Sequence, residues 1–140
     1  MDAALLGLAD DAVRLVSERA RTPPAPGYRW EGFAPAQYDY APVSELYAGL
    51  ASATNWMLLQ PGDDAAGTYV LLPAWPCAWD VDFVLWAPLA TRVAVRLEGG
   101  RVANFSVEPP ERAAQAVWGG CVGEGEVGPG RRLPGWVFGG

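Results

Sequence analysis

The chain has 140 residues, the size of one ordinary domain, which excludes a multidomain machine. Hydrophobic residues make up 51% and charged residues 19%, too apolar for a disordered chain, and 17 Gly with 13 Pro favour many turns and short β elements. Ten basic residues against 16 acidic ones give a net charge of −6, and no basic cluster stands out, so neither nucleic acid nor an anionic membrane is an expected partner.

All ten basic residues are Arg; Lys and His are absent. That absence removes Ser-His-Asp and Cys-His nucleophile systems, the phosphate-binding lysine of nucleotide loops and Schiff-base chemistry. Acid and base work falls to Asp and Glu, and no cofactor is implied. No signal peptide is readable after Met1-Asp2, and no apolar run approaches a membrane span.

From Ala3 to Arg21 the residues Leu5, Leu8, Ala9, Ala12, Val13 and Val16 share one helical face, which predicts a single amphipathic helix. The run Thr22-Pro23-Pro24-Ala25-Pro26-Gly27 ends it, and an irregular aromatic stretch follows from Tyr28 to Tyr40. A second helix is expected from Pro42 to about Gln60, with Val43, Leu46, Tyr47, Leu50, Ala51, Thr54, Met57 and Leu58 on its apolar side.

After Pro61-Gly62-Asp63-Asp64 the period changes. Five strands are expected, at Thr68 to Leu72, Val81 to Trp86, Arg92 to Glu98, Arg101 to Val107 and Ala116 to Val122, forming antiparallel structure. The clearest pair sets Val93, Val95 and Leu97 against Ala103, Phe105 and Val107 about Gly99-Gly100, a two-residue loop suited to a type I′ turn. Residues 123–140 have no periodicity and read as a loose tail. The fold class is α+β, with N-terminal helices followed by a small antiparallel β-sandwich. The broad apolar helix faces exceed what five strands can cover.

Cys77 and Cys121 can pair in an oxidising compartment or stay as small buried hydrophobes, the commoner fate of a cysteine. Asp80 and Asp82 alternate along a strand and suit a cation less well than a solvated edge. Asn104-Phe105-Ser106 is a glycosylation acceptor pattern, read as chance because it falls within a hairpin strand and no secretion signal is readable. Trp75 and Trp79 are the candidate carbohydrate contacts, with core or interface packing as the plainer reading.

Met57-Leu58-Leu59-Gln60, a polar turn, Tyr69-Val70-Leu71-Leu72-Pro73-Ala74-Trp75-Pro76 and then Trp79-Asp80 resemble the end of the catalytic barrel and the start of the C-terminal β-domain in glycoside hydrolase family 95, the α-L-fucosidases and related enzymes. The resemblance covers roughly 32–122. It implies that residues 1–62 are the last helices of an (α/α)6 barrel and 63–122 a C-terminal β-sandwich, with an oligosaccharide or glycoconjugate as substrate of the whole enzyme. The family's water-activating aspartate opens the final barrel helix. Ungapped spacing from Met57 sets Glu45 at that position, in a first helical turn whose dipole favours the ionised form. Locally, Gln37-Tyr38-Asp39 resembles the family's Gln-Ile-Asp and makes Asp39 the other candidate. Inversion needs a second carboxyl group roughly 6.5 to 9.5 Å away. The family carries that acid in an earlier part of the barrel, so this chain alone is expected to be a fragment that does not turn over glycosides. The alternative expectation is a non-catalytic β-sandwich that binds carbohydrate or a partner protein.

Overall fold

The computed structural model describes residues 2–21, 30–31, 38–39, 44–119 and 131–132, with the backbone path alone for 30–31, 38–39, 44–46 and 131–132. Helices and strands are mixed. The helices α1 (Asp2–Leu5), α2 (Ala9–Arg21) and α3 (Ser44–Leu58) precede most of the β structure, with a short ladder of β1 (Trp30–Glu31) and β2 (Tyr38–Asp39) between α2 and α3.

The first helix is not continuous, as its periodicity had suggested. Gly7 takes a left-handed conformation, φ 70°, at which Leu8 N–H donates to the Ala3 carbonyl and Gly7 N–H to the Ala4 carbonyl. These two bonds close α1 as a Schellman motif, and Leu8 starts α2 by accepting the Ala12 N–H. The break rotates the expected face. Ala4 and Ala12 are buried and Val13 and Val16 pack on the core, whereas Leu5, Leu6, Leu8 and Leu15 are exposed.

Helix α3 stops at Leu58 rather than near Gln60, because Leu59–Pro61 forms strand β3. Pro61 disfavours the α region for Gln60 before it, and Leu59, Gln60 and Pro61 find partners in Leu71, Val70 and Tyr69 of β4 (Tyr69–Leu71). The freed Gln60 amide donates to the Ala4 carbonyl at 2.6 Å and the Trp56 carbonyl at 2.9 Å, joining the ends of α1 and α3. Pro42 and Val43, placed at the start of this helix by the sequence, lie outside the described residues.

The expected hairpin about Gly99-Gly100 is present, and a third strand joins it: β5 (Val81–Ala87), β6 (Thr91–Glu98) and β7 (Arg101–Glu108) form an antiparallel meander in that order. Burial in β6 alternates, with Thr91, Val93, Val95 and Leu97 turned inward. Gly99 and Gly100 both have positive φ, 56° and 77°, as a type I′ turn demands, and the Asp80 carboxylate accepts the Gly99 N–H at 2.8 Å. The register differs at one place. Leu97 pairs with Val102 rather than Ala103, since the ladder shifts between Arg96 and Leu97, leaving Ala103 as an exposed bulge residue.

The other sheet, in the order β3, β4, β8 (Ala116–Trp118), β9 (Arg131–Arg132), corrects the expectation of purely antiparallel structure. β4 pairs parallel with β8, Tyr69 opposite Ala116 and Leu71 opposite Trp118, and β8 pairs parallel with β9. All three residues of β8 are buried, as for a strand covered on both faces. The last part of the strand expected to reach Val122 and most of the proposed tail lie outside the described residues. Between β7 and β8 runs a 3-10 helix, Pro110–Gln115. Residues of the helices and of both sheets contribute to one hydrophobic core, in which the Phe105 and Trp118 rings meet edge to face at 5.0 Å.

Two polar clusters hold the loops. In the turn after β3, Asp64 accepts the Thr68 N–H at 2.9 Å and the Thr68 hydroxyl, and these bonds hold its carboxyl below the ordinary value of 3.8. A carboxyl group depressed in the folded state stabilises above its unfolded pKa, and that contribution is lost as pH falls through the lower, folded value. The turn should therefore stay closed at neutral pH and open only in acid below the ordinary carboxylate range. An NMR titration of the Thr68 amide should show that inflection, and Asp64→Asn should erase it.

Arg112, in the 3-10 helix, is the second cluster. Its Nε donates to Thr91 Oγ1 at 3.0 Å and its two terminal nitrogens to the Ala66 and Gly67 carbonyls at 3.0 and 2.6 Å; its own carbonyl accepts the Tyr69 hydroxyl at 3.1 Å. Burial raises the Tyr69 phenol above its ordinary value, against an opposing pull from the Arg112 charge. Arg112→Ala should cost about 2 kcal/mol in urea unfolding, since it strands acceptors on the buried Thr91 and Gly67. Arg112→Lys should recover less than half of that, because one ammonium cannot reproduce a planar fork that binds three oxygens. Full recovery by Lys would mean that charge, not fork geometry, holds these segments.

Candidate functional site

The residues behind the family resemblance come together in space. Met57 and Leu58, at the end of α3, and Leu59, which opens β3, are buried beside Leu71, Leu72, Ala74 and Trp75. Leu72 N–H donates to the Leu58 carbonyl at 2.7 Å and Ala74 N–H to the Met57 carbonyl at 3.3 Å, so the chain leaving β4 satisfies the open C-terminal end of α3. Leu72 does this with φ 55°, a left-handed conformation for a buried non-glycine residue. Pro73 follows, and its fixed φ carries the chain away from the sheet. The Met-Leu-Leu-Gln and Leu-Leu-Pro-Ala-Trp segments are thus two halves of one helix-to-sheet joint.

Trp75 ends this joint. It is 9% exposed, and its Nε1 donates to the Trp79 carbonyl at 3.0 Å, while the two indoles meet nearly perpendicular at 5.8 Å. Trp79 is 40% exposed and closes its turn through an N–H bond to the Pro76 carbonyl. The pair therefore has a buried base and a half-open outer ring. Trp86, on the outer face of β5 opposite Arg92, is more exposed than either, at 68%. Trp118 is buried, and its Nε1 has no hydrogen-bond partner among the described residues.

Glu45 is the second residue of α3, in the first turn where the sequence placed it. Asp39 is in β2, paired with Trp30 of β1. The side chains of both, and the neighbouring residues 32–37 and 40–43, lie outside the described residues. Every carboxylate whose side chain the structure describes is exposed, and none of these occupies the dry setting in which enzymes keep a general acid protonated. Asp64 and Asp80 are engaged as turn caps, so Asp80 and Asp82 form a turn cap and a solvated strand position rather than a cation pair. No group of three or more metal-ligating side chains occurs among the described residues, and no described helix is long and apolar enough to cross a membrane.

Cys77 corrects the plainer of the two cysteine readings. It is exposed and disulfide-bonded; the chain's other cysteine, Cys121, lies outside the described residues. Sequence reasoning also missed the Arg112 cluster, whose partners are carbonyl oxygens distant in the chain and carry no residue signature.

No protein-family model, curated protein or solved structure matches the chain.

Proposed function

We propose that this chain acts as the C-terminal part of a glycoside hydrolase resembling family 95, its helices being the last of an (α/α)6 barrel and its two sheets the layers of the C-terminal β-sandwich. The helix-to-sheet joint carries this reading, because the residues that resemble the family are the ones that bond α3 to β4. Its role is to close the barrel and seat the loop that holds Glu45 or Asp39, with the general acid supplied by the rest of the enzyme. The exposed Leu5, Leu6, Leu8, Leu15 and Tyr47 support it as well, since neighbouring barrel helices would cover such side chains.

The test is the mass of the native protein in its source cells, detected with an antibody against the hairpin 92–107. A species several times larger than 14.9 kDa is expected, and a single species near 14.9 kDa would overturn the reading.

A second reading, a carbohydrate-binding module, is favoured by the exposed indoles of Trp79 and Trp86. Titration with fucosylated and pectin-like oligosaccharides, followed by Trp fluorescence, should then saturate. A flat titration into the millimolar range would remove this reading.

A further inference from the structure

Asn104-Phe105-Ser106 matches the acceptor pattern for an N-linked glycan, and the fold supplies what the pattern alone lacks. A glycan added at Asn-X-Ser persists through folding only where the asparagine points into solvent and a bulky, hydrated chain has room. Among the described residues β7 is the outer strand of its sheet, paired with β6 alone. Along it Phe105 turns inward against Trp118, while Asn104 and Ser106, one position to either side, turn outward and are exposed. The bulge at Ala103 immediately precedes Asn104 and adds local twist at that point of the edge. The chain's other asparagine, Asn55, is followed by Trp56 and Met57 and is no acceptor.

The second observation is chemical. Cys77 is exposed and held in a disulfide. Disulfides form and persist in oxidising compartments, and rarely in a reducing cytosol. N-linked glycans are transferred to proteins entering such compartments. The disulfide and the outward-facing acceptor, read independently, point to the same environment.

We propose that Asn104 is an N-glycosylation site whose glycan projects from the open edge of β7. In the transfer, Asn104 Nδ2 attacks the anomeric carbon of a lipid-pyrophosphate-linked oligosaccharide. The N-glycosidic bond forms as the anomeric carbon–oxygen bond breaks, the lipid pyrophosphate leaves with that electron pair, and the amide gives up one proton; nothing is oxidised or reduced. Placed on an outer strand, the glycan also blocks pairing of that edge with another chain. This inference does not depend on a glycosidase role.

The test uses the native protein from its source cells, treated with peptide N-glycosidase. Its apparent mass should fall, and the tryptic peptide 102–112 should carry a carboxylate at position 104 in place of the amide. An unchanged mass with an unmodified peptide overturns the proposal. In a secreting host, Ser106→Ala should abolish the modification and Ser106→Thr should retain it, both variants lying on the exposed face. Modification that survives Ser106→Ala would place the glycan elsewhere and also overturn the assignment.

Discussion

Gly119→Ala is expected to destabilise the protein by about 3 kcal/mol, a large share of the stability of a domain this size. A Cβ at this position would stand 2.3 Å from the Leu72 carbonyl oxygen, 2.8 Å from its carbon and 3.0 Å from Pro73 Cα. All three are backbone atoms, so no side chain can swing aside. Leu72 is already held in a left-handed conformation and Pro73 has a fixed φ, which leaves that segment little room to retreat. Gly119 cannot retreat freely either, because its N–H donates to the Leu71 carbonyl at 2.8 Å. The control is Gly49→Ala, in the exposed middle of α3 with open space around a new Cβ, which should gain up to about 1 kcal/mol. Urea unfolding of the two variants should move the midpoint in opposite directions. An unchanged midpoint for Gly119→Ala would mean that β8 does not pass so close to the Leu72 turn.

In the larger enzyme we propose, Glu45→Gln should lower kcat by about 10²–10⁴-fold, the usual worth of a positioned general base. Glu45 lies in the first turn of α3, and the joint at the other end of that helix fixes its phase. Asp39→Asn should have a much smaller effect. The reverse pattern would assign the base to Asp39, and two near-normal variants would remove the catalytic part of the proposal. Glu45→Asp adds a further control, since withdrawing the carboxylate by one methylene should itself cost about 10²-fold where position is critical.

Features written in short-range periodicity were legible in the sequence. The alternation of Val93, Val95 and Leu97, followed by two glycines, encodes β6, its turn and β7, because side-chain direction and turn conformation are both local. Helix α3 was legible for the same reason, apart from its end and part of its face: Tyr47 and Ala51, expected on the apolar side, are exposed, and Ala53 is buried instead. Three residues are too few to show a period, so β3 is visible only through its pairing with β4. The break at Gly7 was masked by apolar residues that continue the helical spacing on both sides. Parallel pairing of β4 with β8 leaves no local trace, since its strands are brought together by the core rather than by a turn. The helix-to-sheet joint has no periodicity that would announce it. Its physical content, two amide donors covering the end of a helix, emerges from the fold. Glu45 and Asp39 were singled out by spacing and by local likeness respectively, two signals that disagree because neither measures which carboxylate faces a cavity.

The parallel β4–β8 pairing also sets an order of events for the growing chain. Tyr69 waits for Ala116, so the whole meander is synthesised between the two halves of the central sheet. Local hairpins close fast and long-range parallel contacts close slowly, so β5, β6 and β7 should assemble first and form the surface onto which β8 is delivered. Until Trp118 arrives beside Phe105, the nascent chain exposes the edge of β4 and the inner face of its finished hairpins, a window in which self-association competes with completion of the core.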